Sequence, residues 1–306
     1  MALVGRALSF TFVRGGGGTF ANGATTISIP PGLQASVRIS QAGQPGMASA
    51  VATIYGLTPD VMNLVSTMGV IVTLQPRNLV IIGAGDVGQN NLPTCFKGGI
   101  LQGAPDLNRQ PESPLVITAF ASLDIATLPA TPQSYVGASD ISVILSSLCI
   151  QANYKFENNG ITGINLSNAY LWGSPRDQIM QVLKAVKSRG VTGAFVENDT
   201  VLAIWPTTGA RGGIVPIIKP GTTADPGTLI GYPTYTQFGV DFRCIYNPNI
   251  KFRGQVQLQT SLPSAAGLWD VYGFAHSLDA QMPNGLWETT VQANRAGYPT
   301  PIIATV

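Results

Sequence analysis

Charge is what this chain has least of. Asp, Glu, Lys and Arg together make up 10% of its 306 residues, against roughly a quarter in an ordinary soluble domain. Acids and bases nearly balance at a net charge of +2, with no Lys/Arg cluster, which argues against a dedicated nucleic-acid binder, whose basic face must neutralise phosphates. There is a single histidine, His276, and the three cysteines, Cys95, Cys149 and Cys244, are far apart and odd in number. They provide neither the short Cys/His spacings of a zinc site nor a disulfide framework. Buried free thiols, in a chain that folds in a reducing cytosol, are expected. No apolar run approaches the ~18–20 residues of a membrane helix, so no membrane insertion is expected. The first residues, MALVGRALSFTFVRGGGG, alternate and lack the apolar stretch of a signal peptide.

Glycine and proline are abundant instead, 35 and 22 residues, a density that favours many turns over long helices. With 45% hydrophobic residues and so few charges, the surface must be built largely from Ser, Thr, Asn, Gln and apolar side chains. A freely diffusing monomer usually needs more charge to stay soluble, so the composition points to a subunit covered by other chains.

Residues 1–127 read as a β-domain. Leu8, Phe10 and Phe12 alternate with Ser9 and Thr11, the period of a half-buried strand. Further strands are predicted at residues 25–29, 34–40, 48–55, 69–74, 79–82, 94–101 and 115–121. One short helix interrupts them, with Thr58 as N-cap, Pro59 at its first position and an apolar stripe of Val61, Leu64, Val65 and Met68 ending at Gly69. Residues 128–220 change character to a small α+β unit. Pro129 and Pro132 suggest a linker, and Ser139 is expected to cap a helix whose Ile141, Ile144, Leu145, Leu148 and Cys149 share one face. A hairpin is expected between 154–156 and 161–164. A second helix starts at Ser174 with Pro175 and Asp177, turns Ile179, Leu183 and Val186 inward and stops at Gly190. Another hairpin, 195–197 with 201–205, turns at Asn198-Asp199. Residues 221–293 return to β, with strands at 240–246, 255–260, 267–278 and 286–293. Residues 294–306 look like an extended tail. The fold class is therefore mainly β with an α+β insert, two similar antiparallel β-barrel domains flanking a small α+β domain.

Three features could carry chemistry. Gly83, Gly85 and Gly88 follow the apolar run 79–82 in G-x-G-x-x-G spacing, which in a strand–turn–helix context binds a dinucleotide pyrophosphate. The context is wrong: Pro93 follows five residues after Gly88 with no apolar helical stripe between them, leaving no room for the phosphate-binding helix. The glycines should instead lie in a hairpin connection, with 79–82 antiparallel to 94–101. His276 has Asp279 three residues on but no nucleophile arranged with them, so it reads as structural or interfacial. Trp269, Tyr272, Phe274 and Trp287 could form a sugar platform but suit core packing or subunit contact better. No catalytic, cofactor-binding or metal-binding residue is singled out, and no cofactor is implied.

The C-terminal run GYPTYTQFGVDFRCIYNPNIKFRGQVQLQTS, followed by GLWDVYGFAHSLDAQMPNGLWETTVQA, resembles the last barrel of the central baseplate hub proteins of contractile-tailed bacteriophages. The matching features are Gly239-Val240, Asn247-Pro248, and the strands 254–258, 271–278 and 285–293. The hairpin 80–82 to 95–103 is similar to one in their first barrel. The resemblance implies a structural homotrimer and no enzyme. Its six barrels would form a pseudo-hexameric ring joining the hexameric tail tube protein to the trimeric central spike protein, with the α+β unit toward the spike. It also implies contacts with baseplate wedge and tape measure proteins, DNA only as transiting cargo, and residence in the virion tail baseplate after assembly in the host bacterial cytoplasm. The alternative is a carbohydrate-binding tail-fibre or adhesin-type β-module, resting on the aromatic group.

Overall fold

The computed structural model describes residues 5–41, 47–66, 76–89, 91–108, 111–196, 200–223 and 225–298. The first segment supplies β1 (Arg6–Val13), β2 (Thr26–Ile29), β3 (Ala35–Gln41), β4 (Ser49–Ile54), α1 (Pro59–Val65), β5 (Leu79–Asp86), β6 (Thr94–Pro105), β7 (Leu115–Phe120) and the single turn α2 (Leu123–Ala126). The middle supplies β8 (Gln133–Asp140), α3 (Ile141–Gln151), β9 (Lys155–Asn158), β10 (Asn165–Leu171), α4 (Pro175–Val186), β11 (Val191–Phe195) and β12 (Val201–Pro206). The last supplies β13 (Ile217–Ile218), β14 (Leu229–Thr236), β15 (Gly239–Ile245), β16 (Gln255–Leu258), β17 (Gly267–Ala280) and β18 (Trp287–Arg295).

The protein is mainly β, and its two β segments share one large sheet. The path runs β14-β15-β18-β17-β3-β4-β7-β6-β5-β1-β2, with β16 and β13 attached beside β17. Every neighbour along that path is antiparallel. The seam between first and last segments is β3 against β17, in register from Phe274 opposite Gln41 to Ala280 opposite Ala35. Alternation explains which face is buried. In β3, Ala35, Val37, Ile39 and Gln41 point inward while Arg38 and Ser40 point out. In β1, the sequence-predicted Leu8, Phe10 and Phe12 are all buried.

The middle segment stacks a second layer on that sheet. Its three-stranded sheet, β11-β12-β9, has two apolar faces. Ala194, Val196, Ala203 and Trp205 join the large-sheet core; Val191, Phe195, Leu202 and Ile204 pack under α3 and α4. Burial on both sides follows from a strand run such as Val201–Pro206 that is apolar at successive positions rather than alternating.

Several local expectations differ from the structure. Asp140, one residue beyond Ser139, caps α3 by accepting the Ser142 amide at 2.7 Å. The expected hairpin 154–156 with 161–164 is absent; β9 instead pairs parallel with β12. The stretch after Pro132 becomes β8, paired with β10. Ile217 and Ile218, assigned to the insert by sequence, pair with β16 of the large sheet. Helix α1 buries Met62 and Val65 and ends at Val65, and the Thr58 side chain makes no capping bond. The Ser174–Asp177 capping box of α4 is present in both directions. The predicted strand 69–74, Met68, Gly69, the Asn198-Asp199 turn and the tail beyond Tyr298 lie outside the described residues.

Candidate assembly surfaces

The glycine stretch resolves as a hairpin. Leu79 to Ile82 run antiparallel to β6, Leu79 opposite Gly99 and Ile82 opposite Phe96. Gly83 and Gly85 lie inside β5, earlier than the turn in which they were expected, and pair with Ser9 and Ala7 of β1. Only Gly88 sits in the connection, at φ +93. A Cβ on Gly83 would stand 2.6 Å from Ser9 Oγ, and one on Gly85 2.9 Å from Leu92 Cδ2. These glycines let the connection fold back over the strand.

His276 is buried in β17, its Nδ1 2.8 Å from Thr289 Oγ1. The rings of Phe274 and Tyr246 flank it, with centroids 4.4 and 5.1 Å away. Burial drives its pKa down to about 3. Asp279 lies three residues along the strand, on the opposite face, and its carboxylate is bound to Arg38. The two residues do not form a dyad. The aromatic group is core: Trp269, Tyr272 and Phe274 are buried, and Trp269 Nε1 donates to the Ala265 carbonyl at 2.8 Å. Trp287 is half-buried beneath the Arg6 guanidinium, 5.7 Å from its ring centre. These four rings present no open sugar platform. Among the described residues no group of three or more His, Cys, Asp or Glu could hold a metal, and no helix is long and apolar enough to cross a membrane.

The residues composition missed are on the outside. On the insert, Val136 is 90% and Ile150 75% exposed, with Val143, Tyr170 and Trp172 also open. At one end of the large sheet, β14 pairs along one side only, with β15, among the described residues. A register shift between Ile230 and Thr234, with Gly231 at φ +73, turns Tyr232 outward to 73% exposure. Tyr235 and Phe238 are exposed beside it. The signal for these positions was present in sequence as large apolar residues off the core period, but only neighbours in space reveal that no described residue covers them.

Polar joints lock the insert onto the large sheet. Arg211 donates to Glu157 through Nε and Nη2 at 3.0 and 2.9 Å and to the Phe252 carbonyl through Nη1 at 3.3 Å. Burial opposes the Glu157 charge, yet the Arg211 hydrogen bonds and charge outweigh it and hold the carboxyl below its usual pKa. Gln41 Nε2, buried at the end of β3, donates to the Phe195 carbonyl at 3.2 Å. Tyr154 donates to Asp124 at 2.8 Å, whose pKa burial pushes up.

A large antiparallel sheet carrying a docked α+β layer, tied to it by polar joints, defines the class as a mainly β protein with open apolar side chains. The family model described as Baseplate hub gp41 matches residues 19–283, and the chain belongs to that family of phage tail components. No curated protein matches it. Among solved structures it is similar to the tail protein from Neisseria meningitidis MC58 (TM-score 0.61, 11% identity, 97% of this chain and 98% of that one). It is also similar to the 43 kDa tail protein of prophage MuSo2 from Shewanella oneidensis (TM-score 0.56, 10% identity, 95% and 99%). A third likeness is to the E. coli c3393 protein, a component of the type VI secretion system (TM-score 0.56, 11% identity, 89% and 78%). At these identities the likeness is one of fold.

Proposed function

We propose that the protein is a non-enzymatic baseplate hub subunit that assembles as a homotrimer around the tail axis. Residues 1–127 and 221–293 act as two similar barrel-like units, so three chains present six around the axis. That number matches a hexameric tail tube on one side, while the three-fold of the ring matches a trimeric central spike on the other. The insert, 128–220, faces the spike. The ring surrounds the passage for tape measure protein and DNA, its outside meets the wedge proteins, and assembly takes place in the host cytoplasm.

The observation that carries this reading is the β3–β17 seam, which holds the two β segments edge to edge in one sheet. One chain thus offers two consecutive β walls in fixed relation, which a six-to-three symmetry adaptor requires. Native mass measurement and imaging of the purified protein test it. A mass of three chains and a three-fold ring with pseudo-six-fold density are expected. A stable monomer that associates with neither tube nor spike protein would overturn it.

A further inference from the structure

The two β segments repeat one pattern of strands along the large sheet. The path reads β14-β15-β18-β17 and then, across the seam, β3-β4-β7-β6. Chain order matches step for step. Each segment has a hairpin (β3–β4 and β14–β15), then a strand set beside the next one (β5 and β16). A long strand follows (β6 and β17), and the last strand lies between that long strand and the hairpin (β7 and β18). The registers agree as well. β6 slips against β7 at Leu101, between Ile100 and Gln102, and β17 slips against β18 at Tyr272, between Val271 and Gly273. Just before the slip, Gly99 of β6 pairs with Leu79 of β5, and Asp270 of β17 pairs with Gln255 of β16. A bulge is a placed feature of a strand pair, so its recurrence makes β6 the counterpart of β17 and β14 the counterpart of β3.

At the seam, β17 meets β3. Their counterparts lie at the far ends of the two walls. Among the described residues β14 pairs only with β15, and beyond Ile100 β6 pairs with no strand but β7. Exposure differs accordingly. Ile39 is buried at the seam, whereas its counterpart Tyr235, opposite the buried Val240, is 54% exposed. Leu278 is buried opposite Val37, whereas its counterpart Leu107, just past the end of β6, is 60% exposed.

We infer that β14 of one copy packs edge to edge against the β6 end of a neighbouring copy, so that the seam within each chain is repeated between chains. The inference rests on the trimer proposed above and names the strands that close it. The repeat selects the occupant, because β3 already shows which strand this edge accepts and in which register. Ala275 opposite Ser40 and His276 opposite Ile39 become Ala104 opposite Thr236 and Pro105 opposite Tyr235 of the next copy. Since β6 and β14 are different surfaces, the contact is head-to-tail and adds one more wall-to-wall step of the kind each chain already makes. Two prolines make this contact weaker than the seam. Pro105 stands where β17 has His276, and residues 231–233, with Pro233 among them, stand where β3 has Val37 alone. Proline gives a ladder no N–H, so burial of Tyr235 and Leu107 carries more of the contact, and the edge is guarded against indiscriminate pairing before assembly.

The full-length double variant Ala104→Cys/Thr236→Cys, oxidised mildly with diamide and run on a non-reducing gel, tests it. Directly opposed side chains of an antiparallel pair start ~5 Å apart, close enough for a disulfide. Within one chain the two positions are separated by the strands from β15 to β7, roughly 30 Å at the usual strand spacing. The native thiols are buried and stay silent. A covalent trimer is expected from the double variant and no cross-link from either single variant. Tyr235→Asp and Leu107→Asp replace side chains that are open in the single chain, and each should give folded monomers by native mass and circular dichroism. A trimer that persists in both Asp variants and gives no cross-link in the double variant overturns these surfaces and leaves the ring standing. A cross-link with Thr236→Cys alone also overturns them, since β14 would then meet its own copy. A wild-type chain that is monomeric at micromolar concentration overturns the ring and the inference together.

Discussion

Arg38 and Asp279, 241 positions apart in the chain, meet in a two-pronged ion pair across the β3–β17 seam, Nη1 to Oδ1 at 2.6 Å and Nη2 to Oδ2 at 3.1 Å. Asp279 also accepts the Leu286 amide at 2.9 Å, tying the seam to the entry of β18. Burial opposes the carboxylate charge, but Arg38, Ser36 and that amide outweigh it, and the pKa falls below the ordinary Asp value. Two segments that sequence separates by an entire insert are therefore joined by backbone ladder and charge together.

Asp279→Asn should lower stability by about 1–2 kcal/mol, since a bidentate, partly buried pair is worth more than an exposed one. A double-mutant cycle with Arg38→Met, read by urea unfolding, should return a coupling on the order of 1 kcal/mol. A coupling of zero would mean that the ladder alone holds the seam.

His276 makes stability depend on pH. Its folded pKa of about 3 lies below the ordinary imidazole value of 6.5, so the unfolded chain binds the proton more tightly. The contribution is full above pH 6.5 and is lost as pH falls toward 3. Between pH 7 and 5 that amounts to about 2 kcal/mol. His276→Gln should flatten the unfolding free energy over this interval, whatever it costs at pH 7. Asp279 and Glu157, both depressed, add their loss only at lower pH.

Glycine substitutions separate two costs. Gly83→Val brings side-chain atoms onto Ser9 and Leu92 and should cost about 2–3 kcal/mol by overpacking. Gly88→Ala meets open space and should cost about 1 kcal/mol from its left-handed backbone alone. Thermal or urea unfolding orders the two. Adding NAD(P) should leave tryptophan fluorescence unchanged in wild type and in both variants.

The cysteines give a probe of global opening. Burial pushes Cys95, Cys149 and Cys244 up to about 12, so thiol reagents at pH 8 should modify none in the native protein and all three in denaturant. Rapid native labelling of one site would show local opening there.

Local periodicity determined much of this protein. The alternation of Leu8, Phe10 and Phe12, the face of α3 and the capping box at Ser174 are visible because each is satisfied within a few residues. The absence of a helix after Gly88 already converted a nucleotide motif into a hairpin. Strands β8, β10 and β14 were not visible, because ribbon and edge strands rich in Ser, Gly and Pro bury no alternating face. Tertiary structure decided the rest. The parallel pairing of β9 with β12, the seam at Arg38 and Asp279, and the separation of His276 from Asp279 depend on which distant backbone edges meet. That choice is made by loop closure and shared burial over the whole chain, which no local pattern encodes. The same reason explains α3: its residues specify one apolar face and an uncharged, mixed outer one, and only the fold shows what covers the first.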